Sequence, residues 1–227
     1  MYLTFGIIEY MERGIYMLTW EIQNAFYNDN VKVICGCDEA GRGPLAGPVF
    51  AAAVILPKGH VIEGLYDSKK LSRKVREALF DSIRREAVAY AIAHAEVYEI
   101  EAINILNASM LAMRRAVEML DIKPDLALID GNIARDFPFP TQPIVKGDGK
   151  IPSIAAASIL AKVARDRFCS EMDRFYPGYN FTKNKGYATK EHKEAILRLG
   201  PCPVHRRSFL KKTLGDNFEQ RDFWQGW

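Results

Sequence analysis

Cysteine is scarce in this chain. Four occur in 227 residues, at positions 35, 37, 169 and 202, and none forms a C-x-x-C pair. That is too sparse for a disulfide framework, and Cys35-x-Cys37 lacks a second Cys/His pair at zinc spacing. The cysteines therefore read as small buried apolar side chains. Histidine is equally rare, at four residues. No segment approaches the roughly 18 uncharged apolar residues that a membrane span requires. Glu9, Glu12 and Arg13 interrupt the N-terminal apolar residues, so no secretory signal is expected and a cytoplasmic location is. Repeats, long linkers and low-complexity stretches are also missing. What remains is the composition of one ordinary globular domain, long enough to bury a core.

Charge is present but unevenly placed. Residues 141–227 hold 16 Lys+Arg against 9 Asp+Glu, a balance of +7, while residues 1–140 hold 15 against 19, a balance of −4; together they give +3. The C-terminal third is thus a candidate surface for a polyanion, with a solvated basic face as the plain alternative.

Periodicity and turn residues set out the elements. Met17–Phe26 reads as a short amphipathic helix in an N-terminal appendage over 1–30, to which no chemistry is assigned. Val31–Cys37 reads as a buried strand, followed by a turn at Gly41-Arg42-Gly43-Pro44 and a second strand over Val49–Leu56, an antiparallel hairpin. A helix from Ser72 to about Glu86, a strand over Val88–Val97 and a helix over Ile100–Leu120 follow. Asp125–Ile129 and Pro143–Val145 are short strands. Ser153 is a candidate N-cap for a long helix to Phe175, and Thr189 for another to Leu199; a last helix starts near His205. This is an α/β pattern: a mixed sheet flanked by helices, with a helical lobe at the C-terminal end.

Three carboxylates stand at strand ends, Asp38, Glu39 and Asp130, and Asp148 lies in a loop just before a helix. Each is beside a glycine turn. Acids that end apolar strands are costly unless paired or metal-bound. Taken singly, each could cap a helix or bind turn amides. Taken together, with no matching His or Cys, they suit hard divalent cations, and such ions can clamp the attacking and leaving oxygens of a phosphodiester. The residues alone thus point to metal-dependent phosphoryl chemistry on a polyanion.

At the same residues the sequence resembles the ribonuclease HII family. Cys37-Asp38-Glu39-Ala40-Gly41-Arg42-Gly43-Pro44-Leu45-Ala46-Gly47-Pro48-Val49 is similar to its opening signature. Asp67-Ser68-Lys69-Lys70-Leu71, Ile129-Asp130-Gly131, Lys146-Gly147-Asp148 with Ala155–Asp166, and Gly186-Tyr187-Ala188-Thr189 with His192 follow in the family's order, over about 31–214.

The resemblance implies a ribonuclease H-like catalytic domain over 31–214, with a mixed five-stranded sheet and a basic helical lobe from about 176. It implies endonucleolytic cutting of the RNA strand of RNA–DNA hybrids, and incision 5′ of single ribonucleotides embedded in duplex DNA, leaving a 3′-hydroxyl and a 5′-phosphate. The metal ligands it implies are Asp38, Glu39, Asp130 and Asp148, holding two Mn²⁺ or Mg²⁺ ions, with Asp38 and Asp130 shared. Gly41, Arg42 and Gly43 resemble the reader of the ribose 2′-hydroxyl, the group that distinguishes RNA from DNA. Tyr187 resembles the tyrosine that stacks at the RNA-to-DNA junction. Lys69 is a candidate phosphate contact.

Lys183, Lys185, Lys190, Lys193, Arg198, Arg206, Arg207, Lys211 and Lys212 are read as gripping the duplex backbone. His192 and His205 are assigned to phosphate contact, the surface or caps. A monomer without membrane partners is expected. The tail over 215–227 lacks the aliphatic spacing of a sliding-clamp-binding peptide, so no clamp partner is expected. Two other readings remain: a DNA-only metal nuclease of the same fold, and a non-catalytic nucleic-acid-binding module.

Overall fold

The computed structural model describes residues 18–215. Its elements in chain order are α1 (Glu21–Asn24), β1 (Ile34–Ala40), β2 (Val49–Ile55), α2 (Arg73–Glu86), β3 (Ala89–Ala95), α3 (Val97–Glu118), β4 (Leu126–Asp130), β5 (Thr141–Ile144), α4 (Pro152–Phe175), α5 (Phe181–Asn184), α6 (Lys190–Leu199) and α7 (Arg207–Leu214). Two 3-10 turns, Ser68–Lys70 and Gly147–Gly149, sit between them. The strands form one mixed sheet in the order β3-β2-β1-β4-β5, antiparallel from β1 to β3 and parallel from β1 to β5.

The alternation of side chains along a strand divides the core. Cys35, Cys37, Ala51 and Ala53 face α3, against Ala108, Ala112 and Ala116. Ala52 and Val54 face the other way, against Leu79 and Ile83 of α2 and Ala156 and Leu160 of α4. A third cluster, with Leu45, Cys169, Phe181, Ile196 and Leu210, holds the C-terminal lobe to the loop after β1. All four cysteines are free, and Cys35, Cys37 and Cys169 are buried, as their scarcity suggested. No helix among the described residues is long and apolar enough to cross a membrane.

α4 seats its first turn directly on β1. A Cβ added at Gly36 would stand 2.2 Å from the Ile154 nitrogen and the Ser153 carbonyl carbon. Both are main-chain atoms and cannot rotate away. Gly36→Ala is therefore expected to destabilise the fold by about 2–3 kcal/mol, read as a lower midpoint in urea at an unchanged slope.

Several sequence expectations need correction. The helix expected over Met17–Phe26 is the single turn Glu21–Asn24. Trp20 nearby is buried and donates its indole N–H to the His60 carbonyl at 2.8 Å. Ser153 does not cap α4. Ile151 holds the N-cap position with Pro152 in the first turn, and buried Ser153 donates its hydroxyl to Gln23 Oε1 at 3.0 Å. α3 starts at Val97, earlier than expected, through a reciprocal Glu96–Glu99 capping box. Asn104 breaks it with φ 66° and re-caps it by accepting the Leu106 and Asn107 amides at 3.0 and 3.1 Å. Ser72 and Thr189 cap α2 and α6 as expected.

Candidate active site

β1 and β4 bring three of the four acids together. Cys37 pairs with Ile129 in parallel register, so the next residues, Asp38 and Asp130, lie side by side. Asp130 ends β4, but β1 runs on to Ala40. Asp38 and Glu39 thus lie within the strand rather than after it, because they go on pairing with Ala52 and Ala51 of β2. Side-chain alternation puts Asp38 and Asp130 on the α4 face, and Glu39, the next residue along β1, stays close enough to feel the charges of Asp130 and Lys69. Asp148 comes from the 3-10 turn leading into α4 and is buried. Asp130 Oδ1 ties that turn to the sheet by accepting the Gly147 amide at 2.6 Å and the Asp148 amide at 3.4 Å. The turn is close-packed at Gly147, where a Cβ would stand 2.6 Å from Ile154 Cδ1 and force that side chain to shift.

The electrostatics of the site are those of crowded, desolvated acids. Burial raises Asp38 well above the usual carboxylate range, and the charges of Glu39 and Asp130 add to this, against hydrogen bonds from Ser158 and the Glu39 amide. Burial also raises Glu39, with Asp130 repelling it and Arg42 opposing the rise from 3.4 Å. Asp130 is raised by burial and then by Asp148, against the Gly147 and Asp148 amides.

Besides Arg42, a lysine enters the cluster. Lys69, positioned by a 3-10 turn whose N-cap Asp67 accepts the Lys69 amide, donates Nζ to Asp148 Oδ2 at 3.0 Å. Burial works against its charge, but Asp148, Asp38 and Asp67 outweigh it and raise its pKa. Lys69 is thus tied to the acids rather than standing as a free surface lysine.

These oxygens fit hard divalent ions by type. Among the described residues, no three His, Cys, Asp or Glu side chains close on one point as a preformed metal cage. Mg²⁺-like ions need only one or two carboxylates and complete their shell with water and substrate phosphate, so the oxygen type of these acids is what fits them.

The loop between β1 and β2 stands beside the acids. A Cβ at Gly41, where φ is +103°, would come within 2.1 Å of Arg165 Nε. Arg42 and Gly43 are exposed. Half-exposed Tyr187 lies against Gly43, its Cε1 3.6 Å from where a Cβ would be. The Leu45 amide donates to the Gly186 carbonyl at 2.7 Å, fixing the Tyr187 segment to this loop.

A family profile described as Ribonuclease HII matches residues 35–212. The chain belongs to the ribonuclease HII family. It is 50% identical over 204 residues to the ribonuclease HII of Caldicellulosiruptor saccharolyticus, covering 90% of this chain and all of that protein. Among solved structures it is similar to the ribonuclease H2 of Pyrococcus horikoshii OT3 at TM-score 0.68 and 26% identity, over 84% of this chain and all of that one. It is also similar to the RNase HII in the PCNA:RNase HII complex from Archaeoglobus fulgidus, at TM-score 0.64 and 25% identity, over 78% and 94% of the two chains. The mixed five-stranded sheet with its flanking helices is the ribonuclease H-like fold the sequence led one to expect. As a ribonuclease HII, the chain is an RNase H endonuclease acting on RNA–DNA hybrids, and the family depends on divalent metal ions.

The structure redistributes the basic lobe. Arg198, Arg207, Lys211 and Lys212 are exposed. Lys183 pairs with Glu191 at 2.9 Å and Lys190 with Glu194 at 3.9 Å. Arg206 is not on the duplex-facing surface at all; it is fully buried.

The two histidines are buried too, so neither reaches phosphate or the surface. His205 Nδ1 accepts the Cys202 amide at 2.9 Å, which leaves Nε2–H to donate to His192 Nε2 at 3.1 Å. His192 Nδ1–H then donates to the Tyr187 carbonyl at 2.8 Å. Burial, then the neighbouring His192, pushes His205 down to about 3, so the chain of bonds is held neutral beneath Tyr187. The tail expectation falls on 216–227, outside the described residues.

Proposed function

We propose that this ribonuclease HII incises 5′ of single ribonucleotides embedded in duplex DNA, as well as cutting hybrids, and leaves a 3′-hydroxyl and a 5′-phosphate. The observation that carries the reading is the meeting of the acidic cluster with an exposed, side-chain-poor loop and an exposed tyrosine. Asp38, Glu39, Asp130 and Asp148 are the residues that would hold two Mg²⁺ or Mn²⁺ ions. When bound, such ions supply acidification of a water and stabilisation of the departing 3′-oxygen.

The remaining work belongs to the chain. Gly41, Arg42 and Gly43 let the main chain approach the ribose where a side chain would stand in the way. Tyr187 offers a flat face to the deoxyribose after the ribonucleotide. Lys69 balances the acids and stands ready for a phosphate. The exposed lysines and arginines of the lobe grip the duplex, so binding weakens with salt. Ribonucleotide removal from DNA, a monomeric state and a cytoplasmic site of action fit this chemistry.

The reading is checked on an end-labelled DNA duplex carrying one ribonucleotide, run with Mg²⁺ or Mn²⁺ beside an all-DNA duplex and a uniform hybrid. One cut 5′ of the ribonucleotide, absent from the all-DNA control, is expected. Cutting of the hybrid alone would set aside junction recognition. Tyr187→Ala is expected to slow cutting of the single-ribonucleotide duplex about tenfold more than cutting of the hybrid, the scale of one lost stacking contact. Equal losses on both would remove Tyr187 from the junction.

A further inference from the structure

The loop after β1 is built around a buried cation. A guanidinium carries five N–H donors, and Arg206 makes five bonds. Nε and Nη2 donate to the Gly47 carbonyl at 2.9 and 2.6 Å, Nη2 to Gly41 at 2.7 Å, and Nη1 to Arg42 and Pro44 at 2.9 Å each. Every acceptor is a neutral main-chain oxygen of residues 41–47. Arg165 of α4 stands beside it, also buried, with Nη2 on the Ala46 carbonyl at 3.2 Å and Nε and Nη1 without a partner. Two buried guanidinium groups behind one loop are an expensive support, because each loses its hydration. Apolar side chains would fill the space at lower cost, so the charge itself requires a reason.

Peptide geometry supplies one. The described chain has no cis peptide bond, and in a trans peptide the C=O and N–H point in opposite directions. The Gly41 and Arg42 carbonyls are drawn inward to Arg206, so the Arg42 and Gly43 amides point outward on the exposed side. Among the described residues neither amide donates to a protein group. A cation bonded to the oxygen of an amide draws electrons through it and strengthens its N–H as a donor.

We propose that Arg206, backed by Arg165, is the positioning residue of the ribose-reading loop, turning its carbonyls inward so that the Arg42 and Gly43 amides form a polarised donor pair for the ribonucleotide 2′-oxygen. The assignment rests on the reading of Gly41-Arg42-Gly43 as the 2′-hydroxyl contact.

The test measures affinity by fluorescence anisotropy at fixed salt, with chelator so that nothing is cut. Two duplexes are used, identical except that one carries a single ribonucleotide. Their affinity ratio cancels everything both duplexes share, including phosphate contacts and the acids' repulsion. The wild-type ratio should favour the ribonucleotide. Arg206→Lys keeps a positive charge but loses the five-donor fork, and should lower that ratio about tenfold, the scale of one hydrogen bond's worth. Affinity for the all-DNA duplex should stay within about twofold, since phosphate contacts dominate it.

A folded Arg206→Lys protein with the wild-type ratio, or with equal losses on both duplexes, overturns the proposal and leaves the loop reading standing. A wild-type ratio of one overturns the loop reading itself. If Arg206→Lys shows no cooperative unfolding transition, Arg165→Lys decides, since it gives up a single bond to the loop: a reduced ratio supports the proposal and an unchanged one overturns it.

Discussion

Replacing Asp130 with Asn should lower cleavage by about a thousandfold and, in the same protein without metal, raise stability at neutral pH. The first effect follows from charge. A neutral amide cannot neutralise a divalent ion, and metal stabilisation of the transition state is worth several kcal/mol, each 1.36 kcal/mol being tenfold in rate. The second effect has the opposite sign because the native acids are crowded. Burial and then Asp148 raise Asp130, so the folded state holds its proton more tightly than the unfolded chain does. Stability that is full below about pH 4, the unfolded carboxylate value, is therefore lost as pH rises through the raised folded value. Asn escapes that loss, and its oxygen can still accept the Gly147 amide that Asp130 holds at 2.6 Å. Asp130 is partly exposed, so solvent screening keeps the gain modest, and it fades as pH falls toward and below about 4. Melting with chelator at both pH values, beside rate measurements at matched metal, checks both halves. Wild-type turnover would take Asp130 out of the metal site, and a variant less stable than wild type at pH 7 would show that crowding does not destabilise the native acid.

Gly43→Ala is expected to leave the fold alone and to slow cutting of ribonucleotide-containing substrates about a hundredfold, the scale of a 1 Å misplacement of reacting groups. The contrast with its neighbour makes this prediction sharp. Gly41 is demanded by the protein itself: its φ is +103° and a Cβ would strike Arg165. At Gly43 φ lies outside the left-handed region, and a Cβ would meet only Tyr187, at an ordinary 3.6 Å. The fold does not need glycine there, so a rate loss in Gly43→Ala would come from the ribose contact proposed above and not from damage to the loop. A thermal midpoint within about 2 °C of wild type, corresponding to under 0.5 kcal/mol, should accompany the rate loss. Full activity in Gly43→Ala would place the ribose elsewhere.

The acids and the hairpin were legible because both leave local marks: apolar runs ending in Asp or Glu, and Gly-Arg-Gly-Pro between two strands. Parallel pairing of β1 with β4, which makes neighbours of Asp38 and Asp130, leaves no such mark. Ser153 was misread because N-cap preference is a local rule, whereas its hydroxyl answers to Gln23, 130 positions away. Arg206 was misread for a related reason. Counting charges treats a buried arginine and a surface one alike, and nothing in His205-Arg206-Arg207-Ser208 says which side chain turns inward. Arg165 did leave a signal. Ala157, Ala161, Arg165, Cys169 and Met172 fall at helical spacing on one buried stripe, and a cation in that stripe marks a place where the interior needs charge.

The bonds from Arg206 also bear on how the molecule assembles. They join residues 159 to 165 positions apart in the chain, so they form only after the sheet and the C-terminal lobe have met, and closing so long a loop is slow. A chain interrupted before Arg206 would carry all four carboxylates and an unset ribose loop. On the loop reading proposed above, the ribose contact therefore depends on a junction between distant parts of the chain that the β1–β2 hairpin cannot make by itself.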